Sequence, residues 1–198
     1  MFLALFFVLP TVGAAQATDT ARVVGQEEWN DTRPAGELPC SDRWYLELTG
    51  GFFLEAWDLN EFREELTGGA ISINRRISSN WTVGFESTLL YVNQDPAGDV
   101  FLPAFSVLLR RNVFRFGETW VSIDGGGGAS YASNEVPYRG TRFNLVSHLG
   151  VGLSRALSDR INFVGGLRWL HVSNNSLDGR LRNPDIQAPG LYVGWRMH

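Results

Sequence analysis

The sequence predicts an all-β, eight-stranded antiparallel transmembrane β-barrel, and three observations carry that expectation. Eight stretches alternate with period two, each about ten residues or longer. The face opposite the apolar one holds glycine and small or charged side chains, which suits a narrow filled lumen. Short and long connections alternate, as in barrels with tight periplasmic turns and longer external loops. Composition agrees, with 22 glycines and 13% aromatic residues in 198 positions.

The chain opens on "MFLALFFVLPTVGAAQA". Its apolar run from Phe2 to Leu9 is too short to span a bilayer, and Ala15-Gln16-Ala17 offers a small-residue cleavage site. Residues 1–17 are therefore expected to be a signal peptide. Residues 18–43 read as a polar, turn-rich lead containing Pro34, Gly36 and Pro39. Cys40 is the only cysteine, so no internal disulfide can form. The barrel is expected from Trp44 to His198, with strands near 44–56, 65–77, 81–92, 100–112, 118–131, 141–155, 160–174 and 189–198.

The third stretch sets Trp81, Val83, Phe85, Leu89 and Tyr91 against Thr82, Gly84, Glu86 and Thr88. The sixth sets Phe143, Leu145, Leu149, Val151 and Leu153 against Asn144, His148, Gly150, Gly152 and Ser154. In the last, Leu191, Val193, Trp195 and Met197 oppose Tyr192, Gly194, Arg196 and His198. The long links are expected at 57–64, 93–99, 132–140 and 175–188, after the odd-numbered strands. Such a chain belongs in a bacterial outer membrane. The formal charge of −4 gives no case for a nucleic-acid partner. All 17 basic residues are arginine, whose planar fork suits phosphate.

The seventh stretch poses a question. Leu167, Trp169, His171 and Ser173 share a parity, while Arg168 lies on the other side, where Glu86 or Asp124 can pair with it. The odd residues therefore face lipid, and His171 and Ser173 lie at the external end of the strand. Residues i and i+2 on one strand are about 6.6 Å apart at the backbone, so imidazole and hydroxyl can lean together. A neutral imidazole beside a serine hydroxyl is the minimum apparatus for acyl transfer. Interfacial polarity alone is the plainer reading of the same pair.

The segment "HVSNN" at the end of this strand, followed by "NPDIQ" in the last long loop, resembles the outer-membrane lipid A deacylase family (PagL-like, or acyloxyacyl hydrolase-like, proteins). The resemblance implies an eight-stranded barrel that cleaves the 3-O-linked acyl chain of lipid A. It implies His171 as general base, Ser173 as nucleophile, and Asn174 at the oxyanion hole. Asn174 has inward parity, so a backbone N–H must serve there unless the strand ends or twists. The family's orienting glutamate is not matched uniquely. Asp185 stands at the same distance from His171, whereas alignment on the loop motif puts Gln187 in its place; Asp178 is a further acid, and Asp185 is favoured. Arg180 and Arg182, with Arg139 and Arg142, are candidates for the phosphates of lipid A or for loop solubility.

No GxSxG elbow, HExxH or paired CxxC is present, no metal site assembles by spacing, and the chemistry requires no cofactor. The expected partners are lipopolysaccharide and outer-membrane lipid; homodimerisation is left open. A non-catalytic structural or adhesin barrel is the rival reading, and phospholipase action on glycerophospholipid is a third.

Overall fold

The computed structural model describes residues 44–56, 63–94, 97–179 and 183–198. The expected signal peptide and polar lead, with Cys40, lie outside the described residues, as do Arg180 and Arg182. Eight strands are formed: β1 (Trp44–Leu54), β2 (Glu65–Arg76), β3 (Trp81–Asn93), β4 (Val100–Phe116), β5 (Thr119–Val136), β6 (Thr141–Ala156), β7 (Ile161–Ser173) and β8 (Ile186–Met197). Each pairs antiparallel with its neighbours, and β8 closes on β1, so the barrel has no free edge. Closure lets every strand satisfy its backbone polar groups inside hydrocarbon.

The outer surface is apolar. Phe85, Phe105, Leu149, Leu167 and Leu191 are all widely exposed, an arrangement that water would penalise and lipid accepts. The lumen is filled in two zones. Towards the long-link end, Phe53, Leu66, Leu90, Val92, Leu102, Val172 and Ile186 belong to one buried apolar cluster. Elsewhere the lumen carries ion pairs. Glu47 accepts from Arg110 at 2.6 and 3.0 Å and from Arg196 at 2.7 Å. Arg168 reaches Glu86 at 3.0 Å with one nitrogen and Asp124 at 3.2 Å with the other. Both acids that parity offers to Arg168 are therefore engaged. Glycine makes room here: a Cβ on Gly152 would lie 2.6 Å from the Tyr192 hydroxyl.

These pairs are the costly part of the interior. Removing one partner leaves buried charge uncompensated, at about 3–5 kcal/mol. Arg168→Met is expected to lower the urea midpoint of the vesicle-folded barrel by a corresponding amount; an unchanged midpoint would show that Glu86 and Asp124 do not depend on it.

Three boundaries differ from the sequence expectation by three residues or more, the first being the end of β4, which runs on to Phe116 past the expected 112. β5 continues through a bulge between Tyr131 and Val136, so the link to β6 is a tight turn at 137–140 rather than a long loop at 132–140. β8 begins at Ile186, three residues before the expected start, so Pro189 and Gly190 lie inside it. Pro189 is tolerated because the β1–β8 ladder ends at Gly190, leaving β8 paired with β7 alone at that position. The early start brings Gln187 directly opposite His171. The links at 77–80, 117–118 and 157–160 mark one end of the barrel, and those at 55–64, 94–99, 137–140 and 174–185 mark the other.

Candidate active site

Strand β7 fixes the site by its pleat. Leu170 and Val172 point inward into the apolar cluster, which turns His171 and Ser173 to the outer face at the long-link end. The Nε2 of His171 and the Oγ of Ser173 are 3.0 Å apart, within hydrogen-bond reach. The imidazole stays 32% exposed, while Ser173 is only 6% exposed. The ring is thus open to the surroundings and the hydroxyl is held close beneath it.

On its other side the ring meets Gln187, whose Nε2 is 2.5 Å from the His171 Nδ1. Gln187 Nε2 also donates to Asp185 Oδ2 at 2.8 Å. The indole nitrogen of Trp169 donates to Gln187 Oε1 at 2.8 Å. An indole N–H can only donate, so Trp169 holds the carboxamide oxygen towards itself and the amide nitrogen towards histidine and Asp185. Asp185 Oδ2 lies 3.6 Å from the same Nδ1. Gln187 therefore makes the immediate contact expected of Asp185, and Asp185 stands one step behind it. The cause is the register: the pair His171 and Gln187 belongs to the β7–β8 ladder, whereas Asp185 precedes β8.

Asn174 points inward and is 2% exposed. Its Nδ2 donates to Thr141 Oγ1 at 3.1 Å, and its Oδ1 accepts the Ser176 N–H at 2.9 Å. Its side chain thus ties the turn after Ser173 to β6. That turn passes through the left-handed region at Asn175 and Ser176, with φ of 56° and 58°, a conformation that asparagine tolerates better than most residues. Asp178 is exposed in the same turn. Arg139 and Arg142 lie across the rim, stacked over Tyr138 and Tyr131. Sequence reasoning assigns Trp169 no part in the site; its parity, shared with His171, is the signal that it belongs there. The same holds for Ser147, exposed and paired with His171 on β6.

The β1–β2 connection is fastened to this corner. Ala56 N–H donates to the Gln187 carbonyl at 2.8 Å, and Glu64 N–H donates to Glu55 Oε2 at 3.1 Å. Burial pushes the Glu55 carboxyl up to about 9, with the Glu64 side chain and the Asp185 charge acting in the same direction and the Glu64 N–H opposing them. Glu55 is therefore neutral at pH 7. Because its folded value is raised above 4.5, its contribution to stability is complete below that pH and declines as pH rises to about 9. Glu55→Gln is expected to flatten this slope in urea midpoints taken across the range. A variant that keeps the wild-type slope would place its source elsewhere.

The family model for lipid A 3-O-deacylase (PagL) matches residues 41–196, which span the whole barrel. No curated protein matches the chain significantly. Among solved structures, that of Neisserial surface protein A superposes with a TM-score of 0.61 at 14% identity, covering 78% of this chain and 96% of that one. The outer membrane protein AlkL in lipid bilayers superposes at 0.51, also at 14% identity, covering 85% and 95%. At such identities these two likenesses bear on the fold alone, and the fold is that of an outer-membrane barrel.

Proposed function

Since the chain belongs to the PagL family of lipid A 3-O-deacylases and to the bacterial outer membrane, we propose that it hydrolyses the 3-O-linked acyl ester of lipid A with Ser173 as nucleophile and His171 as base. The observation that carries this reading is the 3.0 Å approach of His171 Nε2 to Ser173 Oγ on the lipid-facing side, at the long-link end. Lipid A occupies the outer leaflet, so its ester reaches such a dyad by lateral diffusion. The substrate does not have to leave the membrane.

In the first step Ser173 Oγ attacks the ester carbonyl as its proton passes to His171 Nε2. The tetrahedral intermediate collapses, and the same proton goes to the departing sugar oxygen. Water, deprotonated by His171 Nε2, then attacks the acyl-serine carbonyl, and as the tetrahedral intermediate collapses the proton returns to Ser173 Oγ and the fatty acid leaves. Taking the serine proton requires Nε2 to be bare, so the ring proton must sit on Nδ1 and needs an acceptor there. The Gln187 amide N–H cannot accept it; Asp185 Oδ2, 3.6 Å away, can. In this account the Gln187 amide moves off Nδ1 as the ring engages substrate, and Asp185 receives the Nδ1 proton bond in its place. Asn174 supports the reaction by fixing the turn behind Ser173. Arg139 and Arg142, on the same rim, would take the phosphates of lipid A in this reading.

Purified, folded protein given lipid A is expected to release one hydroxy fatty acid, seen by mass spectrometry as loss of that chain from the lipid. Unchanged lipid A in the presence of a folded barrel would contradict the proposal. It would favour the non-catalytic reading, which the amide at Nδ1 supports.

A further inference from the structure

The lipid-facing side of β6 carries a hydroxyl where its neighbours are apolar. From the external end that side runs Phe143, Leu145, Ser147, Leu149, Val151 and Leu153, all of them exposed. Ser147 lies directly opposite His171 in the β6–β7 ladder, and Leu145 lies opposite Ser173. Ser147 is therefore the diagonal neighbour of Ser173, about 7–8 Å away at the backbone. It stands one rung nearer the short-turn end of the barrel.

The Ser147 hydroxyl has no hydrogen-bond partner among the described residues. Its flank towards β5 is open as well. Gly127 is the residue opposite it there, and a Cβ on Gly127 would meet only the Val146 carbonyl oxygen, at 3.7 Å. On the lumen side of the same strand, a Cβ on Gly128 would collide with the Phe105 carbonyl. Packing thus demands glycine at 128 but not at 127, where its effect is to leave room beside Ser147.

A hydroxyl turned towards hydrocarbon without a partner costs free energy, and a polar side chain at membrane depth marks a place where function compensates that cost. The ester attacked by Ser173 stands at the external end, and its acyl chain runs down the barrel wall towards Leu149. Two bonds beyond the ester carbonyl, the third carbon of that chain comes level with His171 and Ser147. A hydroxyl on that carbon exchanges a hydrogen bond with Ser147 Oγ. A methylene there leaves the serine unpaired.

Given the deacylase reading, on which this rests, we propose that Ser147 is a specificity-determining residue that recognises a hydroxyl on the third carbon of the ester's acyl chain. Esters of 3-hydroxy fatty acids are then cleaved in preference to plain acyl esters.

The test gives the full-length protein, folded in vesicles, equal amounts of two synthetic acyl glucosamine phosphates. They differ only in the 3-O chain, which is 3-hydroxytetradecanoate in one and tetradecanoate in the other. Mass spectrometry of the two released acids yields the ratio of their kcat/KM values. The wild-type protein is expected to favour the hydroxylated chain by about tenfold, the size of one hydrogen bond made in lipid. Ser147→Ala is expected to bring the ratio to parity, and Ser147→Thr, which keeps a hydroxyl, to retain the preference. A merely structural role for Ser147 would slow both esters alike and leave the ratio where it was. That result, or parity in the wild-type protein, overturns the proposal. Should the wild-type protein release neither acid, the deacylase reading itself fails and takes the role of Ser147 with it.

Discussion

Replacing Ser173 with alanine is expected to lower fatty-acid release from lipid A by at least about a thousandfold, while the barrel remains folded. The size follows from the role: no other hydroxyl is hydrogen-bonded to His171 among the described residues, so nothing replaces the attacking oxygen. The substitution removes one buried hydroxyl at the strand end and leaves the lumen ion pairs and the apolar cluster untouched, so stability should change little. Release by Ser173→Ala within tenfold of wild type would exclude this nucleophile. Mass spectrometry of the lipid, with gel mobility as the folding control, separates the outcomes.

The second large effect concerns the far side of the imidazole. Asp185→Asn is expected to lower kcat about a hundredfold with little change in KM, because it removes the acceptor that selects a proton on Nδ1. Adding Gln187→Glu to that variant is expected to recover most of the loss. The new carboxylate would meet the ring where the amide now stands, and would still accept the Trp169 N–H. The amide introduced in place of the Asp185 carboxylate would in turn donate to it, reversing the present bond from Gln187 to Asp185. The two substitutions should therefore be strongly non-additive. Nitrogen chemical shifts of His171 report the tautomer independently of activity. They should show Nδ1 protonated in the double variant. If Asp185→Asn has full activity, or the double variant is no better than the single, the carboxylate has no part in orienting the ring.

Much of this was legible in the sequence because a strand's two-residue period is simple. Trp169, His171 and Ser173 share a parity opposite to Arg168, so placing Arg168 in the lumen placed the other three outside. The pairing of Arg168 was bounded but not decided by parity, since a guanidinium has enough donors for both Glu86 and Asp124. The orienting group could not be read in the same way. It depends on register between β7 and β8, and Pro189 conceals where β8 begins because proline usually argues against a strand interior. Once the ladder is extended to Ile186, Gln187 falls opposite His171 without further assumption. The end of β5 was concealed by its bulge, which breaks alternation after Tyr131 while the strand continues. Asn174 illustrates a different limit: a short motif carries the residue type, but only the turn's hydrogen bonds show that its side chain faces Thr141 and Ser176.

The account rests on a serine and histidine that act together and are reached from within the membrane. A fluorophosphonate bearing a long acyl chain, dissolved in the vesicles that hold the protein, tests this most directly through peptide mapping of the covalent adduct. The predicted result is a single adduct on Ser173, lost in His171→Ala. An adduct on another residue, or Ser173 labelling that is indifferent to His171, would contradict it.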